Sequence, residues 1–225
     1  MSVNKHIIQV TTKGAKKSQK QIKGVNNGLK NMAKSAAMAA GAYFGARALL
    51  GAIKSSIDLF GQQELAEKKL EAALGKTSQA LLTQAKALQQ VTMFGDETII
   101  EAQAMIAAFT DDEETIKKAT QATLDLAAAK GFDLVTAADL VSKSLGSTTN
   151  ALTRYGVVVT GAVGSTERLD TLTTNVANLF GGQASAQALT MAGSVQQMKN
   201  AVGDAAEALG ETLAPVVTKI AIGLK

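Results

Sequence analysis

The chain has 225 residues and a formal net charge of +4, with no Cys, one His, one Pro, 20 Gly and only eight Phe and Tyr together. Without cysteine there are no disulfides, thiolate zinc sites or cysteine nucleophiles, and His6 alone is a poor basis for histidine catalysis. Few large side chains and many small ones favour closely packed helices. The composition predicts a mainly α, multi-helix protein that is elongated or self-associating, and not an enzyme, with no cofactor and no metal.

Positive charge is concentrated at the N-terminus. Residues 1–60 carry ten Lys or Arg and one acid, whereas residues 61–225 carry thirteen basic and eighteen acidic residues. We predict a basic N-terminal arm over residues 1–34, with a short strand at KHIIQVTTKG. This arm could attract DNA, anionic lipid or an acidic protein wall, or it could be only a solvated face. Its central lysines are Lys13, Lys16, Lys17, Lys20 and Lys23.

Residues 35–75 form an Ala/Gly-rich apolar region that we predict to be helical and to stop at Gly75. Its first part, SAAMAAGAYFGARALLGAI, includes a GxxxG pattern at Gly41 and Gly45, followed by Leu49. This pattern allows two helix backbones to approach closely. Arg47 opposes insertion into a bilayer, so helix-on-helix packing is the favoured interpretation. Conditional membrane insertion and a resident transmembrane anchor are the alternatives.

Residues 76–182 repeat one pattern, in which a capping residue precedes an apolar stripe of helical spacing that ends at a glycine. The predicted N-caps of the first two helices are Thr77 or Ser78, and Asp96, which follows Phe94 and Gly95. Thr110 is the predicted N-cap of the third helix, in a capping box with Glu113. Either Asp133 or Thr136 would cap the fourth helix, and Ser165 the last. The acidic run TDDEET (110–115) resembles a metal site. Adjacent carboxylates on a helix diverge by about 100°, however, so capping is the simpler interpretation.

The stretch KSLGSTTNALTRYGVVV (143–159) predicts a corner between helices. Gly146 would be the C′ residue after Leu145, and residues 147–149 would cap a short helix that ends at Gly156. A short extended segment would follow near 157–160. A phosphate site at this helix start is possible, but no Lys or Arg follows where a triphosphate needs one. We interpret Arg154 and Tyr155 as packing anchors rather than substrate contacts.

The C-terminal segment, residues 183–225, has a heptad-like seam that indicates helix pairing. After Gly210, we expect Pro215 to start or kink the final segment, and we expect the apolar end to continue into a longer protein. The seam consists of Ala188, Met191, Val195, Met198 and Val202.

Three stretches resemble the phage tail tape measure proteins. They are ALQQVTMFGDETIIEAQAMIAAF (87–109), ATLDLAAAKGFDLVTAADLVSKSLGSTTNALTRYGVVV (122–159) and MKNAVGDAAEALGETLAPVVTKI (198–220). The basic N-terminal strand and the Ala/Gly-rich helix after it are similar to the start of many members. The resemblance implies an interaction surface formed by residues of the matching motifs, namely Phe94, Gly95, Asp96, Leu145, Gly146, Arg154, Tyr155 and Gly156.

The resemblance implies a virion structural protein of the tail tube lumen, made in the host cytoplasm. Such proteins set tail length during assembly and leave ahead of the DNA during ejection, some of them inserting into the host envelope. The implied partners are copies of the chain, the tail tube protein, tail assembly chaperones and tail-tip proteins. Even as one helix, 225 residues span only ~340 Å, so we expect an N-terminal part of a longer protein or a short tail.

Two other functions fit the sequence. The chain could be a membrane-active protein that inserts through residues 35–53, with the arm drawn to anionic lipid. It could also bind nucleic acid through the arm, which would make its affinity strongly dependent on salt.

Overall fold

The structure, a computed structural model, describes the backbone of residues 46–223 and the side chains of residues 51–215. Over this range the chain is helical and has no strand, which confirms the predicted mainly α fold. Residues 157–160 form an irregular segment, and the expected N-terminal strand lies outside the described residues. The elements are α1 (Ala46–Leu74), α2 (Gln79–Gln89), α3 (Asp96–Ala107), α4 (Glu113–Lys130), α5 (Leu134–Gly146), a 3₁₀ turn (Thr153–Tyr155), α6 (Thr166–Phe180), α7 (Gln183–Ala188) and α8 (Met191–Gly223).

The chain divides into two compact units. One consists of residues 61–200, and the other combines residues 1–60 with residues 201–225. Helices α1 and α8 therefore each contribute to both units. The predicted boundaries after residues 34, 75 and 182 stay predictions.

Helix α4 is the centre of the 61–200 unit, where α2, α3, α5, α6 and α7 all pack against it. Its alanines allow these neighbours to approach closely. Its buried threonines donate their hydroxyl hydrogens to carbonyls of the same helix. Thr120 Oγ1 donates to the Ile116 carbonyl and Thr123 Oγ1 to the Ala119 carbonyl, each at 2.7 Å. The apolar stripes of α2 to α6 thus bury one another within a single chain, which the sequence alone did not predict.

Four of the helices that the structure describes begin at a side-chain cap. Ser78, Asp112, Asp133 and Ser165 each accept a hydrogen bond from the amide three residues later, at 3.3, 2.7, 2.8 and 3.2 Å. Each bond satisfies one amide that has no partner within its helix. The bonds to Thr115 and Thr136 hold the pKa of Asp112 and Asp133 below the usual range.

The predicted caps of α3 and α4 are wrong. Asp112 caps α4, so Glu113 is its first residue and no Thr110–Glu113 capping box forms. Thr110 Oγ1 instead accepts a bond from the Asp112 amide at 3.2 Å. Gly95 is the N-cap of α3, and Asp96 is the first residue inside the helix. The prediction that the acidic run begins a helix is nevertheless confirmed.

Helix α8 is continuous from Met191 to Gly223. Pro215 lies inside the helix rather than at its start. In the unit that includes residues 201–225, Gly210 lies against the Ser56 carbonyl of α1, where any Cβ would overlap it. Glycine thus serves here for close helix contact rather than as a helix stop.

None of the described helices is long and apolar enough to cross a membrane. Gly41, Gly45 and the five lysines of the arm lie outside the described residues, and of Leu49 only the backbone, within α1, is described.

Candidate interaction surface

The loop between α5 and α6, residues 147–165, includes most of the stretch 143–159 that the sequence singled out, and we call it the corner loop. Asn150 closes its first half: its Oδ1 accepts from the Leu152 amide at 3.0 Å, and its Nδ2 donates to the Val157 carbonyl at 2.8 Å. The enclosed residues form the 3₁₀ turn, which ends at Gly156 with φ +83°. The predicted short helix capped by residues 147–149 is therefore only this turn, and Asn150 organises it.

Arg168, in the first turn of α6, holds the two ends of the corner loop. Its guanidinium donates to the carbonyls of Ser144 at 2.7 Å, Gly161 at 3.0 Å and Ser147 at 2.6 Å. The side chain is only 4% exposed. The last carbonyls of a helix lack partners and lie at the negative end of its dipole, so a cation is stabilised there without a carboxylate.

The sequence analysis did not identify Arg168, although one signal was present. Arg168 precedes Leu172 by four residues and therefore lies on the apolar stripe of α6. A charge on a buried stripe must be paired or hydrogen-bonded. That position could have indicated an inward-facing arginine.

Two further side chains of α6 hold the second half of the corner loop. Thr171 Oγ1 accepts from the Thr160 amide at 3.1 Å and donates to the Thr160 carbonyl at 3.0 Å. Asn175 Nδ2 donates to the Val158 carbonyl at 2.7 Å. The corner loop is thus an ordered surface whose backbone is fixed by side chains of the next helix.

Two cations and three aromatic rings meet beside the corner loop, and we call them the cation–aromatic cluster. Tyr155 packs edge-on against Phe132, with ring centroids 5.3 Å apart. The Arg154 guanidinium lies 4.8 Å from the Tyr155 centroid, and Lys130 Nζ lies 4.5 Å from that of Phe180 and 6.0 Å from that of Tyr155. Tyr155 is half-buried against the core, as expected of a packing anchor, whereas Arg154 is exposed.

Gly146 is not the C′ residue that the sequence predicted. It is the last residue of α5, and Ser147 is the C-cap in an extended conformation. A Cβ at Gly146 would overlap the Phe109 ring. Leu145 beside it is buried in the core. The glycine therefore permits a ring to cover the end of α5.

Asp96 is 4% exposed, and its amide donates to Gln89 Oε1 at 2.5 Å. Burial, together with the nearby Asp96 carboxylate, raises the pKa of Glu97. The Glu97 carboxylate folds over Gly95, where a Cβ would lie 2.5 Å from its Oε2. Phe94 packs partly buried against the core. Of these residues Asp96 is buried, whereas Phe94 and Gly95 are half-buried.

Helix α8 presents a second surface. Its polar side contacts the segment between α2 and α3, which leaves its apolar side uncovered. Gln197 Nε2 donates to the carbonyls of Gln90 and Thr92 at 3.2 and 3.1 Å, and Asn200 Nδ2 donates to that of Met93 at 3.2 Å. The four seam residues within α8 face away from these contacts and are exposed by 83, 40, 46 and 49% at Met191, Val195, Met198 and Val202. We call these four residues the α8 stripe. Ala188, the fifth residue of the predicted seam, lies in α7 and is buried.

No protein-family model matches the chain, and neither the curated proteins nor the solved structures compared with it give a match.

Proposed function

We propose that the chain is a structural protein of a phage tail, of the tape measure type. It would set tail length during assembly inside the tail tube and leave during genome ejection. The resemblance of residues 87–109, 122–159 and 198–220 supports this specific role. Its partners would be copies of itself, the tail tube protein, tail assembly chaperones and tail-tip proteins. It would act in the tail lumen after assembly in the host cytoplasm.

The α8 stripe is the observation that carries the proposal. Apolar side chains at spacings of 4, 3 and 4 on an exposed helix face form a coiled-coil seam that needs a second helix. A polar docking face and an exposed apolar face are the reverse of an ordinary surface helix. This arrangement suits a protein whose working state is an assembly of helices.

The tail itself provides the test. In the strain that produces the phage particles, we would insert 28 residues into helix α8 of the chain. These residues would be four heptads of the α8 pattern. Negative-stain microscopy should show tails longer by about 42 Å, since a helix rises 1.5 Å per residue. Mass spectrometry should detect the chain in purified particles. Unchanged tails, or particles that lack the chain, would refute the proposal.

A further inference from the structure

Helix α8 keeps a heptad order along the α8 stripe. With Val195 and Val202 at heptad positions a, Met191 and Met198 fall at positions d. In a coiled coil, positions a, d, e and g face the partner helix, whereas b, c and f face away from it. The exposure of these two sets of positions in α8 therefore shows which side of the helix is open to a partner.

The hydrogen bonds of α8 to the rest of its unit come from positions that face away from the seam. Gln197, at c, and Asn200, at f, donate to carbonyls between α2 and α3. Gly193, at the other f position, lies against the Gln187 carbonyl, where a Cβ would overlap it. Positions that meet water in an ordinary coiled coil thus meet the 61–200 unit here, so this docking leaves the pairing side open.

The pairing side is accessible over three turns of the helix. Each of the four a and d residues is exposed by 40% or more. Ala192 and Lys199 at e and Ser194 at g are exposed as well, and Ala201 at the second g position is half-buried. Lys199 is the only charged residue between residues 191 and 202. Covering this face therefore costs little desolvation, since Lys199 can keep its ammonium group in water at the rim.

The residue types at a and d favour two parallel strands. A β-branched residue at a, with a residue that is not β-branched at d, is the pattern of parallel two-stranded coiled coils. Val at a with Met at d follows this pattern. In such a pair Lys199 would lie next to Ser194 of the partner subunit, because position e of one helix adjoins the preceding g of the other. No like charges would then meet across the seam.

A second copy of α8 is the occupant that the described residues support. The apolar stripes of α2 to α6 are buried within their own unit. In the part of the chain that the structure describes, α8 is also the only helix with more than one exposed large apolar side chain. The four stripe residues expose roughly 450 Å² in each copy, so a pair that also covers e and g clears the ~1,000 Å² that a specific interface needs.

We propose that residues 191–202 of α8 pair with the same residues of a second copy, as a parallel, in-register, two-stranded coiled coil. Each copy keeps its 61–200 unit on the b, c and f side of its own helix. Like residues face each other in every layer, and a two-fold axis along the seam closes the pair at two copies. The inference deepens the proposed function by naming the partner of the α8 stripe, and it rests on that function only in requiring that the stripe be covered during assembly.

Single cysteines test the pair, because the unaltered chain has none. In full-length chains, Met191→Cys and Val202→Cys should each form a disulfide with the same position of the second copy under mild oxidation, since a disulfide needs Cα atoms within about 7 Å. We expect at least ~10-fold more linked dimer than in Leu179→Cys, whose position on α6 is exposed to nearly the same extent as Val202. Sedimentation equilibrium of the unaltered chain at about 100 μM should give the mass of two chains.

Three results would overturn the inference. One is no more linked dimer in Met191→Cys and Val202→Cys than in Leu179→Cys. Another is linkage of residue 191 to residue 202 in a mixture of the two variants, identified by mass spectrometry of the linked peptides, because these positions lie about 16 Å apart along a parallel seam. The third is a mass of one chain, or of three or more.

The tail measurement separates this inference from the proposed function. If tails lengthen with the 28-residue insertion although the linked dimers are absent, the pair is refuted and the proposed function survives. Unchanged tails together with linked dimers would refute that function and leave the pair intact.

Discussion

Helices α5 and α8 have apolar stripes of the same spacing, but one stripe is buried and the other is exposed. The stripe of α5, formed by Leu134, Ala138, Val141 and Leu145, is buried in the 61–200 unit. The α8 stripe is exposed, while Gln197 and Asn200 on its other side bind carbonyls between α2 and α3. Apolar periodicity therefore shows that a face needs covering, but not whether the same chain covers it.

Replacing one stripe residue in each helix should separate the two cases, and this is the largest effect we expect. Leu134→Ala should reduce the free energy of unfolding by about 3 kcal/mol, because it removes a fully packed side chain. Met198→Ala should change it by less than about 0.5 kcal/mol while weakening self-association. Urea unfolding monitored by circular dichroism and sedimentation velocity would measure the two quantities. Equal destabilisation by both variants would show that the α8 stripe is covered within the chain.

Arg168→Ala should produce the next largest effect. It leaves three carbonyls without their charged donor and frees both ends of the corner loop, so we expect a loss of about 2–3 kcal/mol in unfolding free energy. Arg168→Lys should recover only part of this loss, because one ammonium cannot reach all three carbonyls with the geometry of a guanidinium. The same urea titration checks this, and a loss below about 0.5 kcal/mol would contradict the role given to Arg168.

Gly146→Ala should cost about 1 kcal/mol, because the new methyl group must displace the Phe109 ring. Phe109 is 46% exposed, so the ring can move at moderate expense. In the Phe109→Ala background the same substitution should be neutral, or even stabilising through its helix propensity. A double-mutant cycle of unfolding free energies measures this coupling. Additive effects would show that the two residues do not interact.

Glu97→Gln should give the smallest effect, and one that depends on pH. Because burial raises the pKa of Glu97, the folded chain favours its neutral form. The stability due to this preference is present below the ordinary glutamate pKa of about 4.3 and is lost as the pH rises through the folded value. The variant should therefore melt at a higher temperature than the unaltered chain at pH 7, and at a similar temperature near pH 3. A constant difference across this range would contradict the assignment.

The helices of the 61–200 unit were predictable from sequence because most apolar positions follow one helical period and glycines mark the ends. Gly75 and Gly131 both have φ +69° just after a helix, as such glycines require. The caps were less predictable. Thr110 and Asp112 lie two residues apart, and each has a side-chain oxygen that can accept a hydrogen bond. Only the folded backbone determines which of them accepts from a free amide in the first turn of α4.

The surfaces were the least predictable from sequence. Tyr155 was expected to anchor packing, but the convergence of Lys130, Phe132 and Phe180 around it depends on how α4 and α6 end beside the corner loop. The polar side of α8 faces the rest of the unit because it contacts carbonyls between α2 and α3, which lie over a hundred residues away in sequence. Such contacts leave no local pattern.

The bonds from Arg168 also determine how the corner loop moves. Its three acceptors lie 24, 21 and 7 residues before it in the sequence, so the loop ends are fixed only while the first turn of α6 is formed. Opening of α6 would break these bonds together with those of Thr171 and Asn175, and would so free both ends and the second half of the loop in a single event. Amide protons from residue 152 to residue 160 should consequently exchange with deuterium at a common rate, set by the opening of α6 rather than by each amide's own exposure.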